Sequence, residues 1–288
     1  MFFFLGLLLD AKGELQEGYK KPYTIFDADG REIGYEELVK GLSQADVVCI
    51  GEIHNCSIIH WLELELTRSL YAIHGDKLMM GAEMFEADNQ LILDEYMENK
   101  ISYDSFEKEA RIWSNYNTDY EPFVYFAKEN KIPFIATNVP RRYANMVKNK
   151  GLQSLDSLTE EAKRYLPPLP IHFVREEENE SMFSMMQMIG GKMAADNTEY
   201  LAQAQALKDA TMGWFIAKYM KTKFLHFNGN FHTDFGKGII PYLLEYRPNT
   251  KIKTVCSVRQ EQIEQIDEVN KGRGDYYICV LEDMTSTY

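Results

Sequence analysis

Short apolar runs, each closed by a glycine or a polar residue, recur along the chain and read as buried strands. Val47-Val48-Cys49-Ile50 leads into Gly51-Glu52-Ile53-His54, and Leu78-Met79-Met80 into Gly81-Ala82-Glu83. Ile132-Pro133-Phe134-Ile135 leads into Ala136-Thr137-Asn138, and Phe224-Leu225-His226-Phe227 into Asn228-Gly229-Asn230-Phe231-His232. Between these runs the apolar spacing becomes helical: Ile58, Ile59, Leu62, Leu66 and Leu70 predict a helix over 57–73, a right-handed crossover between two parallel strands. Further helices are expected over 35–42, 88–99, 103–110, 120–130, after Pro140, over 198–220 and over 236–246. A hairpin with an Asp29-Gly30 turn precedes them, and strands near 252–257 and 276–281 follow. The order predicts an α/β fold, a mostly parallel central sheet flanked by helices, as a single domain over 22–288.

Two stretches depart from this pattern. Over about 154–196, Leu166-Pro167-Pro168-Leu169-Pro170 excludes regular helix, and an acidic run and five methionines (Met182, Met185, Met186, Met188, Met193) follow. This reads as a helical insertion, a lid or small subdomain. Residues 1–21 open with Met1 to Leu9, an apolar run too short to span a bilayer. It is read as a remnant of a signal segment or as an element packed on the body. No other segment has the length to cross a membrane.

A net charge of −13 argues against a nucleic-acid partner, whose phosphates call for a basic face. The four cysteines show no CxxC pairing, and three lie in apolar runs, so they read as free core residues.

Side chains just past the carboxyl ends of parallel strands converge on one crevice. Glu52, His54, Glu83, Asn138 and His232 all hold such positions. His54, Glu83 and His232 therefore form a candidate divalent-metal site, with Glu52 as candidate general base and Asn138 or Arg141 as oxyanion stabiliser. The two strand–Gly–His units suggest an internal duplication whose histidines face each other across the sheet. His226, inside a strand, reads as a core histidine, and His60 has no companion at useful spacing.

Gly51–His54, Gly81–Phe85, Trp113, Tyr120-Glu121-Pro122, Phe134–Arg141, Lys208–Met212 and Gly229–His232 form an ordered set. It resembles the ChaN-like family of haem-binding, iron-regulated uptake proteins over roughly residues 22–260. It is more distantly similar to TIKI/TraB-type metalloproteases and erythromycin-esterase-like hydrolases. The resemblance implies haem as cofactor, held through a tyrosine between the subunits of a homodimer. Tyr116, Tyr120, Tyr143 and Tyr165 lie nearest the motif segments and are the candidate ligands, with Arg141 or Arg142 for the propionates. A haem-binding protein of a bacterial iron-uptake system, outside the cytoplasm in the periplasm or cell envelope, is the expectation; a metal-dependent peptidase or esterase is the alternative.

Overall fold

The computed structural model describes residues 21–173 and 195–287, with side chains of the second segment from 199 on. Eight strands form one sheet: β1 (Tyr23–Asp27), β2 (Glu32–Ile33), β3 (Val47–Glu52), β4 (Leu78–Glu86), β5 (Phe134–Asn138), β6 (Lys223–Gly229), β7 (Ile252–Gln260) and β8 (Tyr276–Leu281). Their order is β2-β1-β8-β7-β3-β6-β4-β5. From β8 to β5 every pairing is parallel; only the hairpin edge is antiparallel. The hairpin turn is held by the Asp27 carboxylate, which accepts from the Arg31 and Asp29 amides, and Gly30 supplies the required positive φ of 80°.

The helices are α1 (Tyr35–Ser43), α2 (Ser57–His74), α3 (Gln90–Met97), α4 (Tyr103–Glu109), α5 (Glu121–Glu129), α6 (Arg141–Lys150), a single turn α7 (Glu160–Lys163), α8 (Ala195–Tyr219) and α9 (Ile239–Tyr246). Strand residues alternate between two cores. Val48, Ile50, Met80 and Ala82 face α1, α2 and the aromatic cluster of α4 and α5, whereas Val47, Cys49 and Met79 face Met212, Phe215 and Ile216 of α8. Helices thus cover both faces, as a parallel sheet requires.

The predicted elements form close to their expected bounds, but their placement differs at one point. β6 inserts between β3 and β4, so the α2 crossover passes over one strand position. The two strand–Gly–His units are side by side in register, Glu52 opposite Gly229, rather than facing across the sheet. From β3 the chain moves toward β4 and β5, and from β6 it moves back to β7. The carboxyl ends of β3, β6 and β4 therefore border the crevice where a parallel sheet binds ligands. The register of β4 on β5 shifts between Ala82 and Glu86, the stretch that holds Glu83, an irregularity common beside sites.

Of the expected insertion, 154–173 folds as a 3₁₀ stretch, α7 and the proline segment; the methionine-rich part lies outside the described residues, as do residues 1–20. All four cysteines are buried and free. Among the described residues no helix is long and apolar enough to cross a membrane.

Candidate functional site

A cavity of about 690 Å³ opens over the ends of β3, β6 and β4. His54, Glu83 and His232 all line it, together with Asn138 and Arg141. Glu83 is buried at its floor and held from two sides. One carboxylate oxygen accepts from the Gly229 amide at 2.9 Å and the other lies 3.1 Å from His232 Nε2. His232 turns Nδ1 to Asp209 on α8, 2.5 Å away. An imidazole between two carboxylates donates from both nitrogens, which requires the imidazolium form. Burial opposes that charge, but the charges of Glu83 and Asp209 and their hydrogen bonds outweigh it and raise His232 to about 10. Burial likewise opposes ionisation of Glu83, yet the charge and hydrogen bond of His232, with His54 adding, hold it well below the usual carboxylate range.

His54 packs on the bare backbone at the end of β6. A methyl group added at Gly229 would stand 2.9 Å from its Cε1 and Nε2 and 3.6 Å from a Glu83 oxygen. Gly229 thus lets the imidazole approach the floor. Its Nδ1 is bonded to Glu52, and Trp113 meets the ring edge-on with centroids 5.0 Å apart. In the neutral ring, with Nδ1–H given to Glu52, Nε2 is the lone-pair nitrogen. Burial opposes protonation of His54, but the Glu52 hydrogen bond and charge raise its pKa.

Glu52 itself does not reach the cavity. Its side chain is fully buried, one oxygen taken by His54 and by the Tyr120 hydroxyl at 2.8 Å, the other 3.5 Å from His60 Nδ1. Glu52 is not among the residues that line the cavity, and its carboxylate holds His54 in place rather than facing the cavity as the expected general base would. Asn138 lines the cavity, but its amide is engaged with backbone, donating to the Glu83 carbonyl at 2.9 Å and accepting from Val139 at 2.8 Å. Arg141 stands at the rim with 79% of its side chain exposed, its backbone amide bonded to Glu86.

None of the four tyrosines named from the sequence lines the cavity. Tyr116 is 1% exposed within an aromatic cluster with Phe85 and Phe106, and burial lifts its hydroxyl far above the usual range. Tyr120 is buried under His60 and bonded to Glu52. Tyr143 is buried in the α6–α8 core beneath the Arg142 guanidinium, and Tyr165 packs between two hydrophobic clusters. Arg142 is ion-paired with Asp88 and also lies off the cavity lining. Tyr143 lies on α6, Tyr116 and Tyr120 on the π-helical turn 116–120 and Tyr165 just after α7, and all four rings pack against the core rather than the cavity. The rim cations are instead Arg141, Lys208 and Arg273, the last paired with Asp234 at 2.8 Å.

His226 is a core histidine, 0% exposed, bonded to Thr137 and Asn228 and pushed down to about 4 by burial. His60, read from the sequence as lacking companions, has several. It lies buried with Glu63 one turn along α2 and with Glu52 and Asp119, and Asn115 bridges Asp119 to the His54 carbonyl. The signal was present as His60 and Glu63 at i, i+3 on the apolar face of α2. Asp209 was also legible, as a carboxylate among the apolar positions Leu207, Ala210 and Met212.

Comparisons with known proteins bear on the family and the fold. Residues 38–243 match the family model described as haem-binding uptake, Tiki superfamily, ChaN. The fold is similar to that in the structure of cofacial haem binding to ChaN of Campylobacter jejuni, with TM-score 0.68 and 19% identity over 89% of this chain and 96% of that one. It is also similar to the erythromycin esterase mutant EreC H289N in its open conformation, with TM-score 0.51 and 10% identity over 92% and 99% of the two chains. Both likenesses show the fold. A curated relative, the chloroplastic Protein RETICULATA-RELATED 5 of Arabidopsis thaliana, is 27% identical over 164 residues, 54% of this chain. The match spans 22% of that relative's length.

Proposed function

The chain belongs to the ChaN family of haem-binding uptake proteins, and from that premise we propose that it binds haem in the cavity above β3, β6 and β4. The observation that carries the reading is the makeup of that cavity. Trp113, Val139, Phe235 and Val269 give it apolar walls, the half-buried His54 stands on its floor, and Arg141 and Lys208 stand on its rim. That combination suits a flat apolar ligand with an acidic edge. Bound haem would supply an iron that takes a side-chain ligand and two carboxylates to neutralise.

His54 offers Nε2 for the iron, its ring set by Glu52 and Trp113. Arg141 and Lys208 offer charge-assisted bonds to the propionates. Phe235 and Val269, 49% and 78% exposed, leave an apolar mouth that a second copy of the chain would cover. Work in a bacterial iron- or haem-acquisition system, outside the cytoplasm, is part of the proposal, supported by the description of the family as haem-binding uptake. Adding hemin to the purified protein should shift the Soret band and saturate at a fixed ratio. A featureless, unsaturable rise would overturn the reading.

A second reading, a metal-dependent hydrolase, is favoured by one observation: His54, Glu83 and His232 share the floor, where an ion would take the place of the proton that His232 gives to Glu83. With Glu52 enclosed, Glu83 is the carboxylate among these candidates that a cavity-bound ion could share. Elemental analysis of a His54→Ala, His232→Ala double variant tests it, since unchanged metal content removes it.

A further inference from the structure

Behind Glu52, away from the cavity, three ligand-type side chains meet in a sealed space. One donor atom from each of Glu52, His60 and Glu63 lies within 4.8 Å of the other two, and all three residues are buried. The orientation of His60 follows from its neighbours. Its Nε2 lies 3.2 Å from the His54 carbonyl and 3.5 Å from an Asp119 oxygen, and a carbonyl can only accept. Nε2 of His60 therefore carries a proton, which leaves Nδ1, facing Glu63 Oε2 at 2.9 Å and Glu52 Oε2 at 3.5 Å, as the ring nitrogen that a cation could share.

Two carboxylates and an imidazole nitrogen aimed at one point repel unless a proton or a cation sits among them. Two buried oxygens there, Glu52 Oε2 and Glu63 Oε1, have no hydrogen-bond partner, an expensive state for a carboxylate. Among the described residues, the charged groups that act most on Glu52 and Glu63 are carboxylates and histidines. The separations also suit a small ion: tetrahedral ligands about 2.1 Å from zinc stand roughly 3.4 Å apart.

We propose that Glu52, His60 and Glu63 form a second, enclosed site for a divalent cation of the zinc class, with Asp119 orienting His60 from behind. Asp119 on Nε2 is the outer-shell carboxylate that a metal-bound histidine normally has, and it is itself held by Asn115 and Thr287. The ion neutralises two carboxylates that burial otherwise drives toward their protonated forms, Glu52 to about 7 and Glu63 to about 8. It clamps β3 to α2 and, through Asp119, to the π-helical turn Tyr116–Tyr120. Through Glu52, whose other oxygen takes the His54 proton, it fixes the imidazole on the cavity floor. The site stands apart from the haem reading and from the floor residues of the hydrolase reading.

The full chain, purified from zinc-supplemented medium and dialysed against metal-free buffer, is analysed for zinc. The expected result is about one zinc per chain, lost in Glu63→Gln and His60→Asn and kept in the His54→Ala, His232→Ala double variant. X-ray absorption of the zinc-loaded wild type, which needs no variant to fold, should show one imidazole among oxygen ligands. Wild type without zinc, zinc retained by Glu63→Gln, zinc lost only from the double variant, or two imidazoles in the absorption spectrum would each overturn the proposal.

Discussion

His232 holds Glu83 across the gap between β6 and β4, Nε2 to Oε1 at 3.1 Å, with both side chains buried. Removing one partner of such a pair strands the other charge in a dry site, at about 3–5 kcal/mol. His232→Ala leaves Glu83 and Asp209 facing each other and should lower the unfolding free energy by an amount in that range. Glu83→Gln keeps the Asp209 contact and should cost less. Urea denaturation at pH 7 measures both, and equal, small losses would mean that the pair contributes little.

Gly229→Ala tests the packing of His54. The backbone there has φ −59°, so alanine adds no strain, but its methyl group meets the imidazole at 2.9 Å. The variant should stay folded, within about 1 kcal/mol of wild type. Its hemin affinity should fall several-fold because His54 must turn away from the floor. An unchanged affinity would remove His54 from the binding surface.

Gly238→Ala should behave in the opposite way. Gly238 has φ +60°, and an added methyl group would lie 2.3 Å from the His232 carbonyl oxygen, which is backbone and cannot swing aside. Strain of this kind costs on the order of 1–3 kcal/mol before the clash is counted. A marked drop in melting temperature is expected, larger than for Gly229→Ala.

The strand-end motifs made the cavity floor legible because a parallel sheet delivers its carboxyl ends to one edge whatever the strand order. Thus His54, Glu83 and His232 could be grouped before the insertion of β6 beside β3 was visible. The tyrosines were not legible, because proximity in sequence to a motif says nothing of which helix face a ring takes; Tyr116 and Tyr120 face the core. His60 and Glu63 share a helix face that the spacing shows, but the cluster they join was hidden for a related reason. Their partners Glu52 and Asp119 come from a strand and a π-helical turn elsewhere in the chain, and only the folded packing brings them together.

His226 gives a pH dependence of known sign. Burial holds its folded pKa near 4, below the ordinary 6.5, so as pH falls the unfolded chain takes up the proton first. Its contribution is complete above pH 6.5 and is lost as pH falls through 4, amounting to roughly 3 kcal/mol. Denaturation curves between pH 7 and pH 4 should therefore be steeper in pH for wild type than for His226→Asn. Parallel profiles would contradict this.

Hemin titration of wild type and His54→Ala side by side, followed by absorption, tests the haem-cavity reading most directly. Wild type is expected to give a saturating, shifted Soret band, and His54→Ala an altered band position with at least about tenfold weaker binding, the loss of roughly 1.4 kcal/mol or more. Identical saturating spectra from the two proteins, or no saturable binding in either, would contradict it.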